Sequence, residues 1–166
     1  FYVTKTADTA DGECSADDCS LREAVIASNE TAGHNTIVIP AGTYLLTLTG
    51  AHFTDDGPDT LGEIGDLDLS DGVDIHGAGW STVIQGGATG DLSFRIFEVY
   101  EGMSVEIRDL GIRDAYSEMG PGGGGIYNQG ELTVDHVFFA ERDVFKIFVS
   151  CRKFQFTVQF ITADAS

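Results

Sequence analysis

Val105-Glu106-Ile107-Arg108-Asp109-Leu110-Gly111-Ile112 is the stretch on which the fold assignment depends. It contains two triplets, Val105–Ile107 and Leu110–Ile112, in which a central residue stands between two apolar ones. Side chains alternate between the two faces of a strand, so each triplet predicts a very short strand with one buried face. Val73-Asp74-Ile75 and Leu132-Thr133-Val134 have the same form. Such strands are too short for an ordinary β-sandwich, which is the alternative fold.

The spacing of the triplets indicates a repeat. Two sets of central residues show it: Asp74, Glu106 and Thr133, and Asp68, Glu98 and Tyr127. The intervals are 32 and 27 residues in the first set, and 30 and 29 in the second. A period near 30 residues with about three short strands per repeat is typical of a solenoid, in which stacked coils bury their apolar side chains together.

A short helix is predicted ahead of the repeats. Ser20 and Glu23 have the spacing of a capping box, in which each side chain satisfies a free amide of the other residue. Leu21, Ala24 and Val25 follow at helical spacing, and the polar stretch 29–35 ends the helix. We expect this helix to cover the first coil. The predicted divisions are therefore a cap at 1–35, coils at 36–140 and a tail at 141–166.

The net charge is −18, from 27 acidic and 9 basic side chains. This balance argues against a nucleic-acid partner, which requires a basic face. The sequence has no run of about 18 apolar residues, so no membrane insertion is expected. It begins at Phe1 without a basic and then apolar leader, so we expect any signal peptide to have been removed.

Cys14 and Cys19 lie close together just before the predicted helix. In an oxidising compartment they are expected to close a small loop by a disulfide. A zinc site is not expected, because no second Cys or His pair has ligand spacing. Cys151 is then an odd thiol.

Four segments resemble a known family. Cys19-Ser20-Leu21-Arg22-Glu23-Ala24 is similar to the string that gives its name to an N-terminal cap domain of large bacterial surface or secreted proteins. Gly65–Leu69, the turn Ile75–Gly79 and Gly123–Gly130 also look like that family, and the resemblance covers roughly residues 1–140. It implies an all-β fold, a right-handed parallel β-helix of about four coils with a short N-terminal capping α-helix. It also implies export, with an extracellular or cell-surface location, but no single activity.

The tail at 141–166 departs from this pattern. It contains none of the 21 glycines but carries five of the eleven phenylalanines. Phe154, Phe156, Val158 and Phe160 alternate with polar residues, which predicts one amphipathic strand. We expect this strand to cap the open end of the coils or to pair with a second molecule. A homodimer through the C-terminal end is therefore predicted.

Stacked coils place equivalent residues about 4.8 Å apart, so Asp68 over Glu98 and Asp74 over Glu106 are predicted carboxylate ladders. Such ladders can keep a solenoid soluble, bind calcium or flank a glycosidic bond. For catalysis, Asp68 and Glu98 are the acid/base candidates and Arg108 the electrophile. For carbohydrate binding, the candidates are Tyr127, Asp74 and Glu106.

A second acidic cluster precedes the first ladder. Its candidate calcium ligands are Asp55, Asp56, Asp59 and Asp66. They lack the spacing of an EF-hand, so a solvated insertion between coils is the alternative. No cofactor is expected to be required, and Ca2+ is the candidate ion.

Three functions remain open from the sequence. The leading hypothesis is a secreted or cell-surface module that binds carbohydrate or another surface ligand. The first alternative is a polysaccharide lyase, a glycoside hydrolase or an ester-cleaving enzyme that uses the outward carboxylates, with calcium as a further electrophile. The second is a self-assembling structural unit, in which the open end and the Phe-rich tail drive association.

Overall fold

The computed structural model describes residues 1–48, 63–87, 95–115 and 124–140, together with four short strands outside these ranges. The α-helix α1 spans Leu21–Glu30, and a 3₁₀ turn spans Gly79–Ser81. The strands are β1 Asn35–Val38, β2 Gly42–Leu45, β3 Phe53–Thr54, β4 Gly57–Pro58, β5 Leu67–Leu69, β6 Val73–His76, β7 Thr82–Gln85, β8 Phe97–Val99, β9 Ser104–Arg113, β10 Ile126–Asn128, β11 Glu131–Ala140, β12 Phe148–Val149 and β13 Phe154–Thr157.

Two parallel sheets account for most of these strands. The larger sheet has the order β1-β6-β9-β11-β13, and β7 pairs with both β9 and β2. The smaller sheet has the order β12-β10-β8-β5. The first half of β9 pairs with β6 and its second half with β7, so the larger sheet curls along the length of β9. β3 and β4 form a separate antiparallel pair.

The predicted alignment of the triplets is confirmed. Asp74 pairs with Glu106 and Glu106 with Thr133 in the larger sheet. Asp68 pairs with Glu98 and Glu98 with Tyr127 in the smaller sheet. The apolar neighbours of these residues, such as Ile75, Ile107 and Val134, are buried and form the core. The spacing near 30 residues therefore gives the register of the parallel strands correctly.

The prediction of a right-handed β-helix of about four coils is wrong for the described residues. The triplets Val105–Ile107 and Leu110–Ile112, expected to be separate strands, belong to the single ten-residue strand β9. β11 likewise continues past the predicted strand Leu132–Val134 as far as Ala140. Asp109 and His136 adopt left-handed backbone angles, φ 56° and φ 50°, which turn each strand without ending it. The result is a curled half-barrel sheet with a second small sheet, not a regular solenoid.

Helix α1 begins as predicted. The amide of Glu23 donates to Ser20 Oγ at 3.1 Å, and the amide of Ser20 donates to Glu23 Oε2 at 2.7 Å, so the capping box is complete. The helix continues to Glu30, two residues into the polar stretch 29–35 that was predicted to end it. It ends where Asn35 donates its side-chain amide to the carbonyl oxygens of Ser28 and Thr31. These bonds satisfy carbonyls that a helix end leaves without intrahelical partners.

One end of each sheet is covered by the N-terminal region. The side-chain amide of Asn29 donates to the carbonyl oxygen of Asp68 at 2.7 Å and accepts from the amide of Ser70 at 3.1 Å. Asn29 thereby takes the place of a further strand beside β5. On the larger sheet, Val3 donates to Val38, and Val38 donates to Phe1. Both edges are thus protected from pairing with another chain.

A buried ion pair joins the N-terminal region to both sheets. Arg22 on α1 is fully buried and contacts Asp8 at 2.7 Å through Nε. Its guanidinium also donates to the carbonyl oxygens of Gly65 and Asp66, just before β5. Asp8 in turn accepts from the amide of Thr47, just after β2. One guanidinium and one carboxylate therefore fix four segments of the chain.

Cys14 and Cys19 form the predicted disulfide, with their Cα atoms 4.3 Å apart. Beside it, burial raises the pKa of Glu23, but hydrogen bonds from Ser20, Thr9 and Asp11 outweigh burial and lower that pKa to about 2. The Cys14–Cys19 disulfide and the buried carboxylate of Glu23 thus hold the N-terminal loop against the start of α1.

The tail prediction is only partly within the described residues. Phe154–Thr157 forms β13, which pairs in parallel with β11 at the end of the larger sheet. β12 extends the smaller sheet in the same way. Val158, Phe160 and Cys151 lie outside the described residues, and dimerisation through this end stays a prediction.

Candidate functional site

Three carboxylates converge at the start of the smaller sheet. Asp68 and Glu98 are the central residues of β5 and β8 and pair in register, which places both side chains on the same face. Asp66 lies directly before β5. The nearest ligand atoms of the three residues all lie within 4.8 Å of one another. Asp66 and Asp68 are each only 3% exposed.

Arg95 completes this cluster. Its Nε donates to Asp66 Oδ2 at 2.5 Å, and its guanidinium forms an ion pair with Glu98. A hydrogen bond from a guanidinium is charge-assisted, and such bonds are shorter and stronger than neutral ones. The guanidinium also lies over the ring of Tyr127, with its central carbon 4.8 Å from the ring centroid. Arg95 therefore contacts both the carboxylates and the aromatic ring.

Tyr127 extends the row across the next strand. It is the central residue of β10 and pairs in register with Glu98. Its hydroxyl accepts a hydrogen bond from Gln129 Nε2 at 2.8 Å. Asp68, Glu98 and Tyr127 therefore follow one another across β5, β8 and β10, with Arg95 and Gln129 beside them. We call these five residues and Asp66 the Tyr127 row.

The sequence predicted part of this row. The alignment of Asp68 with Glu98 was expected, but Arg95 was missed, because its position depends on how the chain enters β8. A signal was present: Arg95 is the one Lys or Arg between Arg22 and Arg108 in a strongly acidic sequence. A single arginine near stacked carboxylates is a natural counter-ion for them.

Arg108 lies elsewhere. It belongs to β9 of the larger sheet, where its Nε is 3.3 Å from Glu106 Oε1 and its NH2 is 3.1 Å from His76 Nδ1. Asp74, in register with Glu106, contacts His34 at 2.7 Å. This second ladder is half-exposed and pairs its carboxylates with basic or imidazole groups. It has the character of a solvated outer face.

Two predicted groupings are therefore divided between the sheets. The carbohydrate candidates Asp74 and Glu106 are on the larger sheet, and Tyr127 is on the smaller one. The catalytic candidates Asp68 and Glu98 are together on the smaller sheet, and Arg108 is on the larger one. Arg95 is the basic group beside Asp68 and Glu98.

Part of the predicted calcium cluster has been located. Asp66 lies in the row described above, whereas Asp55, Asp56 and Asp59 lie outside the described residues. Within the ranges described, one group of three His, Cys, Asp or Glu side chains is close enough together to hold a single ion: Asp66, Asp68 and Glu98. Carboxylate oxygens are hard ligands that suit calcium or magnesium.

Comparisons with known proteins identify no relative: no family model, no curated protein and no solved structure matches this chain. In the described part of the chain, no helix combines the length and the apolar character that crossing a membrane requires.

Proposed function

We propose that this chain is a carbohydrate-binding module that works outside the cell or on its surface, with the Tyr127 row as its binding site. The observation that carries the proposal is the combination of an aromatic ring, a guanidinium, an amide and carboxylates along one face of the smaller sheet. A sugar offers an apolar C–H face and a rim of hydroxyls that both donate and accept. The row contains a partner for each of these features.

The roles of the side chains follow from their chemistry. The ring of Tyr127 provides an apolar surface for one face of a sugar. Glu98 accepts hydrogen bonds from hydroxyls, and Arg95 and Gln129 donate them. Three clustered carboxylates disfavour an acidic sugar, so we propose a neutral glycan.

The extracellular location rests on two observations. The Cys14–Cys19 disulfide is of a kind that persists in oxidising compartments. The string Cys19–Ala24 resembles a cap domain of exported bacterial proteins, and in this chain it includes the second cysteine and the first turn of α1. Both support export of the chain.

The binding proposal is tested by isothermal titration with soluble neutral polysaccharides. Tyr127→Ala removes the ring and is expected to weaken binding about tenfold, the factor that corresponds to about 1.4 kcal/mol. Tyr127→Phe keeps the ring and should therefore weaken glycan binding less than Tyr127→Ala does. Tyr2→Ala is the matched control, since Tyr2 is an exposed tyrosine on the N-terminal segment beside β1. Equal affinity of the Tyr127→Ala and Tyr2→Ala variants for every glycan would contradict the site.

A second candidate function is calcium binding by Asp66, Asp68 and Glu98, which the proximity of their ligand atoms favours. Arg95 and a calcium ion compete for the same oxygens, so Arg95→Gln is expected to strengthen calcium binding. Saturating calcium is expected to raise the melting temperature of the wild type by about 5–10 °C over chelator, on the basis of about 2.7 kcal/mol at a hundredfold excess. Asp68→Asn should abolish the rise. An identical melt with calcium and with chelator, in both wild type and Arg95→Gln, would exclude this function.

The enzyme alternative has less support from the geometry. A glycoside hydrolase needs one carboxylic acid that holds a proton for the leaving group. Arg95 forms ion pairs with both Asp66 and Glu98, so these two carboxylates are engaged by a counter-ion and not by a leaving group. We therefore propose binding rather than turnover. Release of reducing ends from a neutral polysaccharide by the wild type, but not by Glu98→Gln, would reverse this preference.

A further inference from the structure

Trp80 is an exposed aromatic residue that the Tyr127 row does not use. It is the only tryptophan of the chain and lies in the 3₁₀ turn between β6 and β7. Its side chain is 56% exposed. The ring contacts Phe138 on β11 edge to face, with centroids 6.4 Å apart and planes at 75°. Trp80 and Phe138 together form a small contiguous apolar patch at the surface.

The surface beneath Trp80 is shaped by Gly111. Gly111 on β9 pairs in register with Val83 on β7 and with Phe138 on β11. A Cβ atom at Gly111 would lie 2.1 Å from Cζ of Phe138, so the Phe138 ring extends across the backbone of Gly111. A glycine within a strand marks such a close approach. The Phe138 ring therefore lies close against the sheet, and the plane of the Trp80 ring is roughly perpendicular to the plane of the Phe138 ring.

Polar groups border this surface two residues further along the same strands, on the same face. Gln85 and Arg113 are in register on β7 and β9, and Arg113 NH2 donates to Gln85 Oε1 at 2.6 Å. Gln85 Nε2 donates to Asp114 Oδ2 at 2.8 Å. The side chain of Arg113 is 41% exposed. An amide, a guanidinium and a carboxylate thus lie about 7 Å along the strands from the aromatic pair.

We propose that Trp80 and Phe138, with Gln85, Arg113 and Asp114 at their border, form a second binding site that takes the pyranose ring of a neutral glycan. The aromatic rings receive the C–H face of the sugar. The polar border donates and accepts hydrogen bonds with its hydroxyls. This site is on the larger sheet and is distinct from the Tyr127 row, so either site can fail without the other.

Area and charge select this occupant over others. An aromatic side chain contributes at most about 150–250 Å², so two partly exposed rings, even with the neighbouring Leu45, supply far less than the roughly 800 Å² per partner of a stable protein interface. A polyanion is disfavoured by the net charge of −18. A neutral sugar ring matches the area and is indifferent to the charge.

The test uses the fluorescence of Trp80, which reports on this site alone because the chain has no other tryptophan. The full chain is titrated with neutral hexasaccharides of glucose, xylose, mannose and N-acetylglucosamine. At least one should shift the emission to the blue and protect Trp80 from acrylamide quenching. Arg113→Ala keeps the fluorophore and should weaken that binding severalfold. Trp80→Ala, followed by affinity electrophoresis, should weaken it about tenfold.

One control keeps the result specific. Tyr2→Ala removes an exposed aromatic residue that lies outside both proposed sites and should leave the Trp80 signal unchanged. Unchanged emission and quenching with all four oligosaccharides would overturn the proposal. So would an emission shift that follows protein concentration without sugar, because a second copy would then cover Trp80.

Discussion

Replacing Arg22 with methionine tests how strongly the helix is fixed to the two sheets. Methionine keeps most of the volume and the apolar stem of the side chain and removes the guanidinium. Asp8 then remains as a buried carboxylate without its ion-pair partner, while its bonds from the amides of Thr47 and Leu48 persist. The carbonyl oxygens of Gly65 and Asp66 also lose a donor. Breaking one partner of a buried pair costs about 3–5 kcal/mol.

The size of the chain converts this cost into a melting temperature. For a domain of 150–250 residues, 1 kcal/mol shifts the melting temperature by about 2–4 °C, so Arg22→Met should lower it by roughly 10 °C. Urea unfolding followed by far-ultraviolet circular dichroism gives the free energy directly. Arg22→Met combined with Asp8→Asn removes both charges, while asparagine keeps an acceptor for the amides of Thr47 and Leu48, so this double variant should recover a large part of the loss.

Two outcomes would contradict the proposed role of the Arg22–Asp8 ion pair. If Arg22→Met costs less than about 1 kcal/mol, the buried pair does not hold the N-terminal region in place. If the double variant is as unstable as the sum of the two single variants, the cost comes from lost packing rather than from an isolated charge.

Three further predictions concern the cap and the sheet. The pKa of Glu23 is lowered to about 2 in the folded chain from 4.5, so its contribution to stability is complete above pH 4.5 and is lost as the pH falls toward 2. Glu23→Gln should therefore flatten the stability curve in that window, and an unchanged slope in acid melts would refute the assignment. Replacing both Cys14 and Cys19 with serine should lower the free energy of unfolding, measured by urea titration, by about 2 kcal/mol, the value expected for a very short loop. If reducing the disulfide of the wild type leaves its stability unchanged, this prediction is wrong. Gly111→Ala places a methyl group against Phe138 and should cost about 1–3 kcal/mol, whereas Gly12→Ala, where a Cβ meets nothing within 4 Å, should be close to neutral.

The sequence was informative wherever local chemistry decides the structure. Ser20 and Glu23 define the start of α1, because a capping box is a contact within one turn. The interval between Asp68 and Glu98 predicts their pairing, because a strand with one buried face has a strongly specified register. Both results follow from side-chain type and spacing alone.

The sequence predictions were wrong or incomplete where backbone conformation or contacts between distant residues determine the structure. Arg108-Asp109 reads as a turn between two strands, but Asp109 takes a left-handed conformation and β9 continues through it. Asp and Gly residues signal a bend without saying whether pairing stops there. Arg95 was missed because its contact with Tyr127 is made only after β8 and β10 pair.

The covered edge beside α1 also has a consequence for the order of folding. Residues 1–38, which contain the disulfide loop, α1 and β1, are synthesised before most of the strands that pair after them. Three parallel pairs then form in turn: β6 on β1, β9 on β6 and β11 on β9. They close loops of 38, 32 and 27 residues, so each step carries a similar entropic cost. A chain built in this way can fold from its N-terminus as it leaves the ribosome, with the capped end as a template for each strand that follows.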